Sequence, residues 1–183
     1  KPVGARYNKS MLLLNREDFK TGSPAYNYRW KKSKLDSVPV ISSRPEWRLG
    51  DQGKVLVWGE QGIGDEIMFS SVIPDLHKAC SQLIVKADKR LIPILRRSFP
   101  KDIAFCESDT LVFEGDYDAH IAMGSLPLHF RPNIERFKTV AQGYLSADGK
   151  RAAVLRDRLL SDCSKILIGI SWNSNSKIRI KQK

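Results

Sequence analysis

Cysteine is scarce in this sequence, and clusters of metal-binding type are absent from it. Cys80, Cys106 and Cys163 stand far apart and are odd in number, which fits neither a disulfide framework nor the close pairs of a zinc site. Reduced, buried thiols are therefore expected, and with them a cytoplasmic setting. His77, His120 and His129 share no metal-ligand spacing, so His77 and His120 read as packing or surface residues and no metal is expected. No apolar run approaches the roughly 20 residues that cross a bilayer, and no signal peptide is expected of the opening residues. The first residue is Lys1 rather than methionine, which reads as an internal cut.

What is present has the composition of a globular protein. Hydrophobic residues make up 42% and charged residues 28% of 183 positions, enough for one sizeable core and an accessory piece. The net charge of +11 invites a nucleic-acid reading, but its location argues against one. Residues 1–48 carry 11 Lys/Arg against 4 Asp/Glu, and residues 177–183 carry four basic residues and no acid. The stretch between them, 49–176, holds 16 of each sign. The basicity lies at the two ends, outside the core domain, and no nucleic-acid partner is expected.

Residues 1–34 read as a helical hairpin. Tyr7, Met11 and Leu14 recur on one face, as an amphipathic helix requires. Asn15–Asp18 reads as a turn, and Ser23-Pro24 supplies a cap and first-position proline for a second helix through Trp30. Helices this short do not bury an apolar face alone, so the hairpin is expected to dock on something. Residues 35–48 form an extended connector around Pro39 and Pro45, with Trp30 and Trp47 as its anchors.

From 49 to 164, apolar runs at Val55–Trp58, Gln82–Lys86, Ile103–Cys106 and Asp118–Ala122 alternate with helical patterns. One helix is expected after the first run through Ala79, another over Lys89–Phe99, and an amphipathic one over Gly149–Leu160. The alternation predicts right-handed β-α-β crossovers and a Rossmann-like parallel sheet. Residues 165–183 then open a further strand, Lys165–Trp172, and a polar loop, Asn173–Lys177, read as the start of a truncated domain.

The core domain centres on the loop after its first strand, with glycines at 59, 62 and 64 leading into a helix opened by Asp65 and Glu66. A glycine loop between strand and helix lets a ligand approach the backbone at the carboxyl edge of a sheet. Dinucleotide binding is disfavoured by the glycine order, G-x-x-G-x-G, and by the charge of Asp65 beside the pyrophosphate position. For it stands Asp88, where a ribose-binding acid belongs. The loop also comes near the G-x-x-x-G-I-G of short-chain dehydrogenases, but Tyr144 is followed at their Tyr-x-x-x-Lys spacing by Asp148. A Walker-type loop is excluded, because no Gly-Lys-Ser/Thr follows. A purely structural role remains open, with the glycines making a tight turn and Asp65 capping the helix.

A third reading rests on resemblance. Trp47-x-x-Gly50 and Gly53-Lys-Val-Leu-Val-Trp-Gly-Glu-Gln-Gly-Ile-Gly-Asp65 are followed by Phe69, Pro74, Asp118, Met123-x-Ser-Leu-Pro127, Tyr144-Leu and Ile168-Gly-Ile-Ser-Trp172. This series closely resembles the glycosyltransferase-9-like domains that bacteria append to tetratricopeptide (TPR) repeats, relatives of the lipopolysaccharide heptosyltransferases. Leu14-x-x-x-x-Phe19 and Tyr26-x-Tyr-Arg-Trp30 are similar to the last TPR hairpin before such a domain. Pro24 and Gly124 depart from the pattern.

The resemblance implies the amino-terminal, acceptor-side half of a GT-B fold behind a TPR-like hairpin. It implies inverting, metal-independent transfer of a sugar from a nucleotide-sugar to an acceptor hydroxyl, without a cofactor. Asp65 then acts as the base, taking the proton of a poorly nucleophilic hydroxyl as the bond to the anomeric carbon forms. Gly62 and Gly64 keep side chains out of the acceptor's path, and Glu60 and Ser125 are candidate acceptor contacts on the same rim. Ser171, Asn173 and Lys177 match the loop that opens the donor domain, where diphosphate contacts are expected. The implied partners are the nucleotide-sugar, a glycan or protein acceptor, and a protein held by the TPR-like end. With the rest of the donor site absent from the sequence, this chain alone is expected to be inactive. The alternative is a catalytically silent Rossmann module that binds protein through its TPR end.

Overall fold

Strand β1, Lys54–Trp58, is buried at every position after Lys54, which is why it reads as a continuous apolar run rather than an alternating one. The computed structural model, which describes residues 3–31, 39–60, 62–138, 143–160 and 168–170, places it inside a four-stranded sheet. Strands β2 (Gln82–Ala87), β3 (Ala104–Glu107) and β4 (Ala119–Ala122) complete the sheet. Their order is β3-β2-β1-β4, and every pairing is parallel. The chain is thus α/β, as the alternation of patterns predicts.

That order has a consequence for ligands. The chain lays β2 and β3 outward on one side of β1, then returns to place β4 on the other. The carboxyl ends of β1 and β4 therefore flank a topological switch point, where open α/β sheets usually bind their ligands.

The single helix expected after β1 is two, in sequence terms α3 (Ile63–Ser70) and α4 (Ile73–His77). Pro74 has no N–H to offer the Ser70 carbonyl. The Ser70 and Ser71 hydroxyls instead donate to the carbonyls of Ile67 and Met68, both at 2.7 Å. Beyond the bend Ile73 and Leu76 are fully buried, in one core cluster with the sheet residues Val55 and Leu83. Helix α5 (Ile92–Ser98) links β2 to β3, whereas β3 reaches β4 through a 3-10 turn at Glu114–Asp116. After β4 come a 3-10 turn at Met123–Ser125, α6 (Leu126–Phe130) and α7 (Glu135–Lys138).

The amino end is a helical hairpin, α1 (Val3–Asn15) and α2 (Phe19–Tyr26), continued by a 3-10 turn over Asn27–Lys31. The second helix begins earlier than its proline implies. Asp18 caps it, its Oδ1 accepting the Thr21 N–H at 3.1 Å, and Pro24 lies inside the helix. Aspartate caps a helix about as well as serine, and Glu17, at φ 61°, makes the reversal that presents it. Gly22 brings the helices together: a Cβ there would stand 2.9 Å from the Leu14 side chain.

The connector joins the sheet. The Trp47 N–H donates to the His120 carbonyl at 2.8 Å, and the His120 N–H to the Pro45 carbonyl at 3.0 Å. The Trp47 ring, 1% exposed, stacks on Phe130 at 5.7 Å and meets His129 edge-on at 5.2 Å. A second compact unit starts at Asp148. In it the Asp148 carboxylate caps α8 (Gly149–Leu160) by accepting the Arg151 N–H at 3.0 Å. The strand expected over 165–172 lies outside the described residues except for 168–170, which carry no strand pairing. Among the described residues no helix is long and apolar enough to cross a membrane.

Replacing Trp47 by alanine removes a fully buried ring from the base of this arrangement. The Trp47→Ala variant is expected to lose about 3–5 kcal/mol of unfolding free energy, read from the urea midpoint. A loss below about 1 kcal/mol would mean that the ring is not part of the core.

Candidate functional site

The switch-point crevice is already occupied, by a side chain of the hairpin. Arg29, in the 3-10 turn after α2, is wholly buried, as is the Glu60 carboxylate that it meets. Its Nε donates to Glu60 Oε2 at 2.7 Å and its Nη2 to Oε1 at 2.6 Å. Nη2 also donates to the Ser125 hydroxyl at 2.8 Å, and Nη1 to Asn27 Oδ1 at 2.9 Å. Glu60 Oε1 accepts the Gly124 N–H at 2.9 Å as well. The guanidinium lies over the rings of Tyr26 and Trp30, at 4.5 and 4.4 Å. Glu60 follows β1 and Ser125 follows β4, so one fork-shaped cation ties both carboxyl-end loops to the hairpin. Aromatic contacts continue the seam: Trp30 with Trp58 at 5.2 Å, Tyr26 with Phe69 at 6.3 Å and Phe19 with Phe137 at 4.7 Å.

This arrangement explains Gly124, a departure from the resembled motif. A Cβ at that position would collide with the Glu60 carboxylate, and the Gly124 N–H is needed as a donor to it. Glu60 and Ser125, both read as acceptor contacts, stand on the rim as expected, but their polar atoms face Arg29, and they are 3% and 2% exposed.

Two of the glycine loop's amides are already engaged. The Gly59 N–H donates to the Lys86 carbonyl at 2.8 Å and the Gly62 N–H to Asp65 Oδ2 at 3.2 Å, which leaves neither for an anion. Glu66, which sequence reasoning did not single out, lies under the loop at 8% exposure and accepts the Asp88 N–H through Oε2 at 2.8 Å. A Cβ on Gly59 would stand 2.5 Å from Glu66 Oε1, and that glycine upstream of a first-turn acid was the available signal. Burial raises the Glu66 pKa, with a further push from the neighbouring Asp88 charge, against the lowering effect of the Asp88 N–H. Asp88 itself is held at about 2 by hydrogen bonds from Arg90, its carboxylate accepting from Nε at 2.9 Å and Nη2 at 2.8 Å.

Asp65 differs from these acids. It is on the first turn of α3 and caps it through Oδ2, while among the described residues no hydrogen bond reaches Oδ1. It lines a cavity of about 320 Å³ between the hairpin and α3, α6 and α7. Leu14, Phe19 and Tyr26 wall the hairpin side, and Met68, Phe69 and Leu128 the other. Arg131 also reaches it but is paired with Asp75 at 2.7 Å. Gly62 and Gly64 flank Asp65 at the exposed surface. A Cβ on Gly64 would meet nothing within 4 Å, and one on Gly62 only Asp65 Oδ2 at 3.5 Å. The protein's own packing therefore demands glycine at neither position, unlike Gly59 and Gly124.

The remaining candidates fall elsewhere. Ser171, Asn173 and Lys177 lie outside the described residues. Cys80 and Cys106 are free and partly buried, and burial raises both thiols above their ordinary pKa, so neither is an activated nucleophile. Among the described residues no group of His, Cys, Asp and Glu is arranged to hold a metal ion.

Two stability measurements follow. Arg29→Met or Glu60→Gln each leaves a buried partner without its mate, and each is expected to cost about 3–5 kcal/mol, whereas the double variant costs well under the sum. Additive effects in urea unfolding would show that the pair is not coupled. For Glu66, a raised folded-state pKa means that its stabilising contribution is full below the ordinary glutamate range and is lost as pH rises through the folded value. Glu66→Gln should therefore flatten the fall in stability from mildly acidic to neutral pH. An unchanged pH slope would remove Glu66 as its source.

No protein-family model matches the sequence, and no solved structure matches it. The chain is similar to Protein FlbA of Caulobacter vibrioides, with 26% identity over 187 aligned residues. That similarity covers 92% of this chain and 31% of FlbA, so the chain spans about a third of the length of the curated relative it matches.

Proposed function

We propose that this chain is the acceptor-side half of an inverting, metal-independent glycosyltransferase of GT-B type, with the hairpin as a TPR-like repeat and Asp65 as the base. The observation that carries the reading is the setting of Asp65, on the carboxyl rim behind the central strand and lining a cavity, with one carboxylate oxygen that no described residue engages. Its neighbours Gly62 and Gly64 are glycines for which internal packing supplies no reason. Bare backbone beside an accessible carboxylate leaves room for a hydroxyl to come within hydrogen-bond reach. There the carboxylate draws off the proton while the oxygen attacks the anomeric carbon of the donor. The donor is a nucleotide-sugar held by a second Rossmann-like domain, to which Ser171, Asn173 and Lys177 contribute.

A second reading, a silent module that binds protein through the hairpin, is favoured by one observation. Arg29 fills the switch-point crevice that ligands use in related folds.

One activity measurement, made with and without a substitution, separates the two. In a protein that carries this domain joined to its donor-binding domain, Asp65→Asn is expected to lower kcat for sugar transfer about 10²- to 10⁴-fold with little change in KM. Transfer at the unaltered rate in Asp65→Asn would exclude Asp65 as the base, and absence of transfer in the unaltered joined protein would leave the silent module.

A further inference from the structure

We propose that the cavity beside Asp65 takes an acceptor whose hydroxyl is carried on an apolar body, an alkyl or aryl alcohol in chemical class, rather than a free polyhydroxylated sugar. The inference rests on the reading of Asp65 as the base and names the substrate class of that site. Leu14, Phe19, Met68, Phe69, Leu128 and Phe137 form the walls. A free sugar in that mostly apolar space would lose water from several hydroxyls, at a cost for each one left unpaired.

Two of the polar side chains at the wall, Ser71 and Arg131, are already committed. The Ser71 hydroxyl donates to the Met68 carbonyl at 2.7 Å. The Arg131 guanidinium donates to Asp75 at 2.7 Å and to the Phe130 carbonyl at 3.0 Å. Asp65 Oδ1 receives no hydrogen bond from any described residue. One donor on one apolar body is the complement of such a site: the body displaces water from the walls, and the O–H meets the carboxylate. The volume of about 320 Å³ is at the small end of the roughly 300–1,000 Å³ of small-molecule pockets.

The test uses phenethyl alcohol as the probe, titrated into the whole chain while the methyl signals of Met11 and Met68, both lining the cavity, are followed by NMR. Saturable shifts of both methyls are expected, with the alcohol binding about tenfold more tightly than phenethyl methyl ether, because only the alcohol donates to the carboxylate. Asp65→Ala should abolish that preference. Met68→Trp, at a position 55% exposed and so tolerant of change, should abolish binding of both compounds. Glucose should neither bind nor compete. Absence of saturable binding, survival of binding in Met68→Trp, or competition by glucose would each overturn the assignment. If the alcohol binds as described while Asp65→Asn leaves transfer untouched, the cavity stands and the base falls. If Asp65→Asn abolishes transfer while the alcohol does not bind, the base stands and this inference falls.

Discussion

The structure depends on one buried ion pair. Arg29 and Glu60 have no exposed side-chain surface, and two charges removed from water are tolerated only when nearly every donor and acceptor is met. Here Arg29 donates to Glu60, Ser125 and Asn27, and Glu60 accepts in addition from Gly124. The pair needs glycine at 124, a hydroxyl at 125 and a turn after α2 that aims Arg29 inward. In return it holds the loops after β1 and β4 in one geometry and seats the hairpin against them. The aromatic contacts of Phe19, Tyr26 and Trp30 supply area, while the ion pair supplies register. A slide of the hairpin by one helical turn would strand both charges.

The clamp also redistributes the rim. With Arg29 in the switch-point crevice and Glu66 beneath Gly59, the part of the loop nearest the sheet is filled with protein groups. The accessible carboxylate is displaced outward to Asp65, at the first turn of α3, where the hairpin supplies the facing wall of a cavity. In this account the hairpin completes the site as well as adjoining it, because six of its residues, Tyr7, Met11, Leu14, Phe19, Ser23 and Tyr26, line that wall.

The sheet was legible in the sequence because parallel strands buried on both faces must be apolar at consecutive positions, as Val55–Trp58 is. The helix after β1 was legible as a helix but not as two, since apolar periodicity runs through Ser70 and Ser71 while the hydrogen bonds do not. The start of α2 was misplaced because Ser23-Pro24 has the chemistry of a helix start and Asp18 has it too; contact between Gly22 and Leu14 favours the earlier one. Glu60 and Ser125 were legible as rim residues from the ends of their strands. That their partner is an arginine 31 and 96 positions away in the chain is a property of the tertiary fold, which no local pattern carries. Asp65 was legible as both cap and candidate base; the cap is made by Oδ2, and the base is the role proposed for it.

The central claim, that a single buried pair unites hairpin and sheet into one site, is tested most directly by native-state hydrogen exchange. In the unaltered protein, amides of α1 and α2 should be protected to a free energy close to that of β1. In Arg29→Met, exchange in the hairpin should accelerate by orders of magnitude while the central strands β1 and β2 retain much greater protection than the hairpin. A hairpin that exchanges freely in the unaltered protein, or whose protection is the same in Arg29→Met, would contradict the account.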